Sequence, residues 1–303
     1  MAAVLRRLAL ASLIANVGIV ITGGAVRLTG SGLGCSTWPR CTDQSYVPTP
    51  ELGIHGLIEF GNRMLTGAVG LLAAVCVAAA LLLRPRRRDV RWLSIAVLAG
   101  IPAQAVLGGI TVLTELDPWW VGSHFLLSMV VIALAYALYV RSGAPDLPLR
   151  PTVSRPLAQL VGLVVLVSAA VLVAGVVVTG SGPHAGDADA RRNGLDPQLT
   201  AQVHADLVAL LVGLSVALWF ALRAVSARPE LIRAAGVLVL VELAQGLVGV
   251  VQHVTHLPVI LVGVHMAGAC AVWLATLAVV ARTRVPVDAP SPAPAPVASL
   301  VAS

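Results

Sequence analysis

Charge is what this sequence has least of. Only 11% of its 303 residues are charged, where soluble domains carry roughly 25%. With 58% hydrophobic residues and a mean hydropathy of +0.91, the composition excludes a soluble globular domain and leaves an integral membrane protein. Lysine is absent: all 20 basic residues are arginine, for a net charge of +6. A nucleic-acid surface would need those arginines beside aromatics or on a solvated domain. Here they lie in short stretches between apolar runs, so nucleic-acid binding is excluded and their role is topological. Cysteine is scarce too, and no C-x-x-C-H occurs among the four, which excludes covalent c-type haem. The first apolar run lacks an A-x-A cleavage site and reads as a retained span rather than a signal peptide.

What is present is a series of apolar runs, each near the roughly 20 residues a bilayer core requires. They predict eight transmembrane helices, near 8–28, 57–83, 90–114, 119–140, 157–180, 200–224, 229–251 and 257–281. The stretch after Arg284, rich in Pro, Ala and Val, is expected to be a disordered cytoplasmic tail. Fifteen of the 20 arginines fall on one side, including the cluster Arg84, Arg86, Arg87, Arg88 and Arg91. The positive-inside rule therefore places both termini in the cytoplasm and the 29–56 and 181–199 loops outside.

The spans are duplicated. Thr29-Gly30-Ser31-Gly32 closes the first and Thr179-Gly180-Ser181-Gly182 the fifth. Gln104 precedes His124 by 20 residues, and Gln245 precedes His265 by the same 20; each glutamine heads a similar run ending in glycine, at Gly108 and Gly249. Asn62 and His204 correspond, 42 and 41 residues before their glutamines. Four spans per repeat keep both copies in one orientation, so the expected fold is all-α: two tandem four-helix bundles related by a pseudo-twofold axis along the membrane normal. The domains follow: 1–150, 151–284 and a tail at 285–303.

Three of the seven histidines lie within spans: His124, His204 and His265, all toward the outward ends. One alone reads as well as a hydrogen-bonded packing residue. His204 and His265 come from different helices at similar depth, the arrangement that holds haem iron from both sides, with Gly263, Ala267 and Gly268 leaving room for a macrocycle. In the other half Asn62 replaces one imidazole, so that site is incomplete. Glu59 lies one turn before Asn62, as an exposed cap or as a proton acceptor beside a reacting ligand. Arg63 can meet a haem propionate or a lipid phosphate. His55, one turn before Glu59, is a substitute ligand to consider.

Cys35 and Cys41 share the first outer loop, where a nearby pair is normally oxidised; the pair is either a staple for the loop or a redox-sensitive group beside a haem site. Zinc would need further ligands that the loop lacks. Cys76 and Cys270 read as inert packing residues within their spans. In the second half, Ser181-Gly182-Pro183-His184-Ala185-Gly186-Asp187 replaces the cysteine loop with a turn over the bundle mouth; His184 and Asp187 are surface or access residues. His253 and His256 read as solvated.

From about residue 10 to 281 the chain resembles the haem A synthases, the Cox15/CtaA family, in a form like that of actinobacterial members. The resemblance rests on Gly23-Gly24-Ala25-Val26-Arg27-Leu28-Thr29-Gly30-Ser31-Gly32-Leu33-Gly34-Cys35 with Trp38-Pro39 and Cys41. It rests also on Ile58-Glu59-Phe60-Gly61-Asn62-Arg63, on the Gln104 run and on the three span histidines. It implies an oxidoreductase of the bacterial cell membrane that converts the C8 methyl of haem O to a formyl group, with water as oxygen source, giving haem A for aa3-type cytochrome c oxidase. It implies a haem b cofactor whose iron is ligated by His204 and His265. In the N-terminal half it implies a haem O site with His124 as ligand, Asn62 and Arg63 lining it and Glu59 catalytic, and a Cys35–Cys41 disulfide or redox pair that assists. Implied partners are haem O synthase, cytochrome oxidase assembly factors and the lipid bilayer, and a homo-oligomer is compatible. The family commonly has a second histidine where this chain has Asn62.

Two other readings compete. A dihaem b electron-transfer cytochrome linked to quinone would need two complete histidine pairs, which Asn62 argues against. A transporter built on a parallel repeat would show broken helices and midplane charges, whereas the ligating groups here lie at the outer ends.

Overall fold

The structure, a computed structural model, describes residues 1–287; the tail beyond, at 288–303, lies outside the described residues. Among the described residues, eight helices are long and apolar enough to cross a membrane: α1 (Ala2–Leu28), α2 (Gly53–Leu82), α3 (Arg88–Leu113), α4 (Pro118–Gly143), α5 (Arg155–Ser181), α6 (Pro197–Ala224), α7 (Pro229–Val254) and α8 (Val259–Arg282). Most begin or end a few residues beyond the apolar runs. Apolar runs mark the hydrocarbon crossing, whereas polar caps carry the helix onward into the interface. Asp117 and Asp196, each followed by proline, show this: their carboxylates accept from the next backbone N–H groups and start α4 and α6.

Each half closes on itself. In the first, α1 packs on α2 and α4, and α3 lies between α2 and α4; in the second, α5 packs on α6 and α8, and α7 lies between α6 and α8. The halves meet where α1 and α4 face α8, and where α4 faces α5. Small residues set this seam: Gly24 lies against Met266, Gly122 against Val176 and Gly263 against Leu28. Across it, the indole N–H of Trp273 donates to the Met129 carbonyl at 3.0 Å.

The duplication is visible in the backbone. The α3–α4 turn puts Glu115 and Leu116 at positive φ, and the α7–α8 turn does the same with His256 and Leu257. Leu116 N–H reaches back to Thr111 O at 2.8 Å, and Leu257 N–H reaches Gln252 O at 2.7 Å. Such left-handed residues are costly outside glycine, so the same pair at both turns marks one supersecondary unit used twice.

Arg284–Pro286 forms a short strand, β2, antiparallel to β1 (Leu149–Pro151), with Arg150 opposite Val285. Residues 285 and 286, expected to begin a disordered tail, thus pair with the segment that links the two halves; the remainder of that tail lies outside the described residues. Nearby, Asp89 pairs with Arg87 and Arg141, so part of the arginine cluster is neutralised locally.

Candidate functional site

His124, His204 and His265 sit within about two turns of the N-termini of α4, α6 and α8, and so share one end of the molecule. His204 and His265 face each other with ring centroids 6.4 Å apart and planes at 71°. Imidazole nitrogens bind metals at about 2 Å, so two such bonds plus roughly 1 Å from each nitrogen to its ring centre match this gap.

Each ring leans on a glycine of a neighbouring helix. A Cβ placed on Gly108 of α3 would lie 3.2 Å from His124 Cε1. The same 3.2 Å separates Gly175 of α5 from His204, and Gly249 of α7 from His265. The Cε1 corner of each ring therefore rests on the glycine. All three Nδ1 atoms are buried without a hydrogen-bond partner of good geometry, and the Val171 backbone lies near His204. Gln104 donates to the His124 carbonyl at 3.2 Å and Gln245 to that of His265 at 2.8 Å, so the glutamine of each repeat ties the histidine-bearing helix to its neighbour. Half-buried imidazoles that rest on glycines and leave a buried Nδ1 without a partner are arranged as packing residues rarely are, and leave room for a flat ligand.

Gly263 and Gly268, expected to make room beside His265, serve helix contacts instead: Gly263 meets Leu28 and Gly268 meets the Gln245 side chain. The glycines at the rings are Gly108, Gly175 and Gly249. Two of these end the repeated glutamine runs, a signal the sequence carried in plain view. Gly175 had no such marker, because the matching position of the first repeat is Ala25.

The first half differs at one corner. Asn62 stands for His204, and by the repeat Ala25 stands for Gly175. The Thr22 hydroxyl donates to Asn62 Oδ1 at 2.7 Å, which ties α2 to α1. Ala25 brings a methyl group to the place where the second half leaves room for a ring. His124 is the imidazole of this half that lies well inside a helix, His55 being in the first turn of α2. His55 is exposed, and its Nδ1 pairs with the Ser31 hydroxyl at 2.9 Å.

Cys35 and Cys41 form a disulfide, and both are fully buried. Beneath the loop lies Glu59, 6% exposed and thus not a solvent-facing cap. Its Oε2 accepts from the Cys35 N–H at 2.6 Å, and its Oε1 from Arg63. Arg63 also donates to the carbonyls of Thr37, Arg40 and Cys35 at 3.0, 3.1 and 3.2 Å. The guanidinium is thus engaged by the loop rather than turned to lipid. Trp38 of the loop packs on Gly109, next to the glycine that backs His124. A single loop thus joins the Glu59–Arg63 pair of α2 to the wall of His124 on α3.

The loop after α5 lies toward the first half. Arg27 donates to the carbonyls of His184 and Thr179, Gly32 N–H donates to Gly186 O at 2.9 Å, and Leu116 is buried with Ala185 and Ala190. His184 Nε2 meets the Leu257 carbonyl at 3.0 Å. The segment is a strap across both halves; Asp187 is half-buried, and His253 and His256 are exposed.

The long apolar helices and the facing His204 and His265 rings describe a multi-pass, all-α membrane protein. The particular group follows from comparison: the sequence pattern of COX15-CtaA, described as cytochrome oxidase assembly protein, matches residues 6–277, and the chain belongs to that family. The heme A synthase of Alkalihalophilus pseudofirmus is 29% identical over 179 residues, 57% of this chain and 60% of that protein. The heme A synthase of Listeria welshimeri is 32% identical over 117 residues, 38% of each chain. That of Bacillus cereus is 32% identical over 117 residues, 38% of this chain and 37% of that protein. The chain thus aligns with about two fifths to three fifths of the length of these relatives.

Proposed function

We propose that this protein is a haem A synthase, which oxidises the C8 methyl of haem O to a formyl group in the bacterial cell membrane. The observation that carries the proposal is the asymmetry of the duplication. One half offers two facing imidazoles; the other offers a single imidazole beside a buried carboxylate and a disulfide loop. A complete pair suits a resident cofactor, and an incomplete site suits a substrate that must enter and leave. The domains are accordingly a substrate half (1–150) and a cofactor half (151–284), with both sites toward the outer face.

His204 and His265 would hold the iron of a haem b, which would supply one-electron redox chemistry when bound. His124 would hold haem O, and Asn62, engaged by Thr22, offers it no second imidazole. Converting the methyl to a formyl group takes its oxygen from water and releases four electrons and four protons per turnover. Glu59 receives protons: its carboxylate is fixed by Arg63 and the Cys35 N–H, ready to act without reorganising. Arg63 and the Cys35–Cys41 loop hold that carboxylate and, through Trp38, the wall of the His124 site. Haem O synthase supplies the substrate, and cytochrome oxidase assembly factors receive the product.

The test is Glu59→Ala in cells that make haem O. The variant keeps its haem b spectrum and loses haem A output; wild-type output contradicts the assignment. The dihaem electron-transfer reading is disfavoured by Asn62 and Ala25, which leave the first half without a second ligand.

A further inference from the structure

Glu242, 3% exposed, lies at the middle of α7, where a carboxyl group is expensive and is functional by default. Its Oε1 accepts from the Ser215 hydroxyl of α6 at 2.8 Å, and its Oε2 is buried with no partner. Ser215 is itself buried.

The duplication supplies a control. Counting from Gln245 and Gln104, the counterpart of Glu242 is Ile101; counting from His204 and Asn62, the counterpart of Ser215 is Ala73. Ile101 and Ala73 are both buried in the hydrophobic core of the first half. The fold therefore packs these two positions with apolar side chains when nothing else is asked of them. Only the half with two facing imidazoles replaces them with an acid and a hydroxyl. Half-satisfied buried carboxyls destabilise, so packing alone does not account for the exchange.

Placement says what the acid faces. Glu242, Gln245 and Gly249 lie three and seven residues apart, on one stripe of α7. Gln245 bonds the His265 carbonyl and Gly249 backs the His265 ring. Seven residues put Glu242 roughly 10 Å from the ring level, deeper in the membrane. Only α6 and α8 pack against α7 among the described helices. The other titratable or charged groups of α6 are His204, Asp206 and Arg223, and those of α8 are His265, Cys270 and Arg282. Glu230 and Arg233 of α7 lie at its first turns and His253 at its last. Among these, only Cys270 lies mid-span, so no buried cation is paired with the acid.

We propose that Glu242 is a redox-linked proton site of the second half. It binds a proton when an electron arrives at the haem held by His204 and His265, and releases it when the electron leaves. This rests on the haem b reading of that half. The balance is one electron onto the iron, from the substrate in turnover or from a mediator in a titration, and one proton onto the Glu242 carboxylate from water; oxidation reverses both. In a low-dielectric bundle a charge this close to the iron is weakly screened, so neutralising it as the iron is reduced keeps the net charge of the half constant.

The test is a potentiometric titration of the haem absorbance in the purified full chain across the neutral pH range. In the wild type the midpoint falls as pH rises, and in Glu242→Gln it loses that dependence. Redox-difference infrared spectra show a carboxylic C=O band in the wild type that is absent from the variant. Equal pH dependence in both proteins overturns the proposal, as does a flat wild-type profile with haem b present. If Glu242→Gln fails to hold haem, Ser215→Ala carries the test: it keeps the acid but removes its donor, and must displace the pH profile; an unmoved profile overturns the proposal. A wild type without a haem b spectrum overturns the parent reading first, and is recognised before any titration begins.

Discussion

The histidines are held by what lies behind them. A Cβ at Gly175 or Gly249 would crowd the imidazole edge, and a β-branched side chain would push the ring out of line. Gly175→Val and Gly249→Val are therefore expected to lose the haem b absorption while the protein still inserts, a result read directly from the visible spectrum. Gly108→Val acts on the other half: haem b stays, and haem A output falls on the order of a hundredfold, the usual effect of an ångström-scale misplacement. The glutamine-to-histidine spacing and the Asn62-for-His204 exchange were legible in the sequence, because a repeat compares the chain with itself. The Glu59–Arg63 clamp was not, since its partners are loop carbonyls and a backbone N–H, and backbone groups leave no signature in residue identity. Glu59→Gln keeps an acceptor for the Cys35 N–H but loses the ion pair with Arg63. It should retain the loop and the disulfide while lowering haem A output, whereas Arg63→Ala should leave the loop protease-sensitive as well.

At the scale of elements, the seam between the halves depends on few polar links. Trp273→Phe removes the bond to the Met129 carbonyl, worth about 1 kcal/mol, and should lower the melting temperature of the detergent-solubilised protein by a few degrees. Arg27→Ala should do more, because one guanidinium holds two carbonyls of the strap that crosses both halves; equal melting of this variant and the wild type would contradict the role given to the strap. Helix positions were readable from hydropathy since the bilayer fixes their length. The strap was not, because its contacts join residues more than 150 positions apart. Strand β2 was missed for a similar reason: a Pro-rich end reads as disorder until its partner at 149–151 is known.

The whole molecule is read as one fold used twice for two purposes, with the arginine-rich side in the cytoplasm and both sites at the outer face. Tyr46 is exposed in the disulfide loop. With Tyr46→Cys as a label site in a Cys35→Ser/Cys41→Ser background, an impermeant maleimide should react from outside intact cells. Reaction confined to inverted vesicles would reverse the topology. The division of labour itself is tested most directly by extracting and separating the haems of the purified chain from cells that make haem O, alongside His124→Ala and His204→Ala. The account predicts haem B together with haem O or haem A in the wild type, haem B alone in His124→Ala, and loss of haem B in His204→Ala. Haem B alone in the wild type, or its retention in His204→Ala, would contradict it.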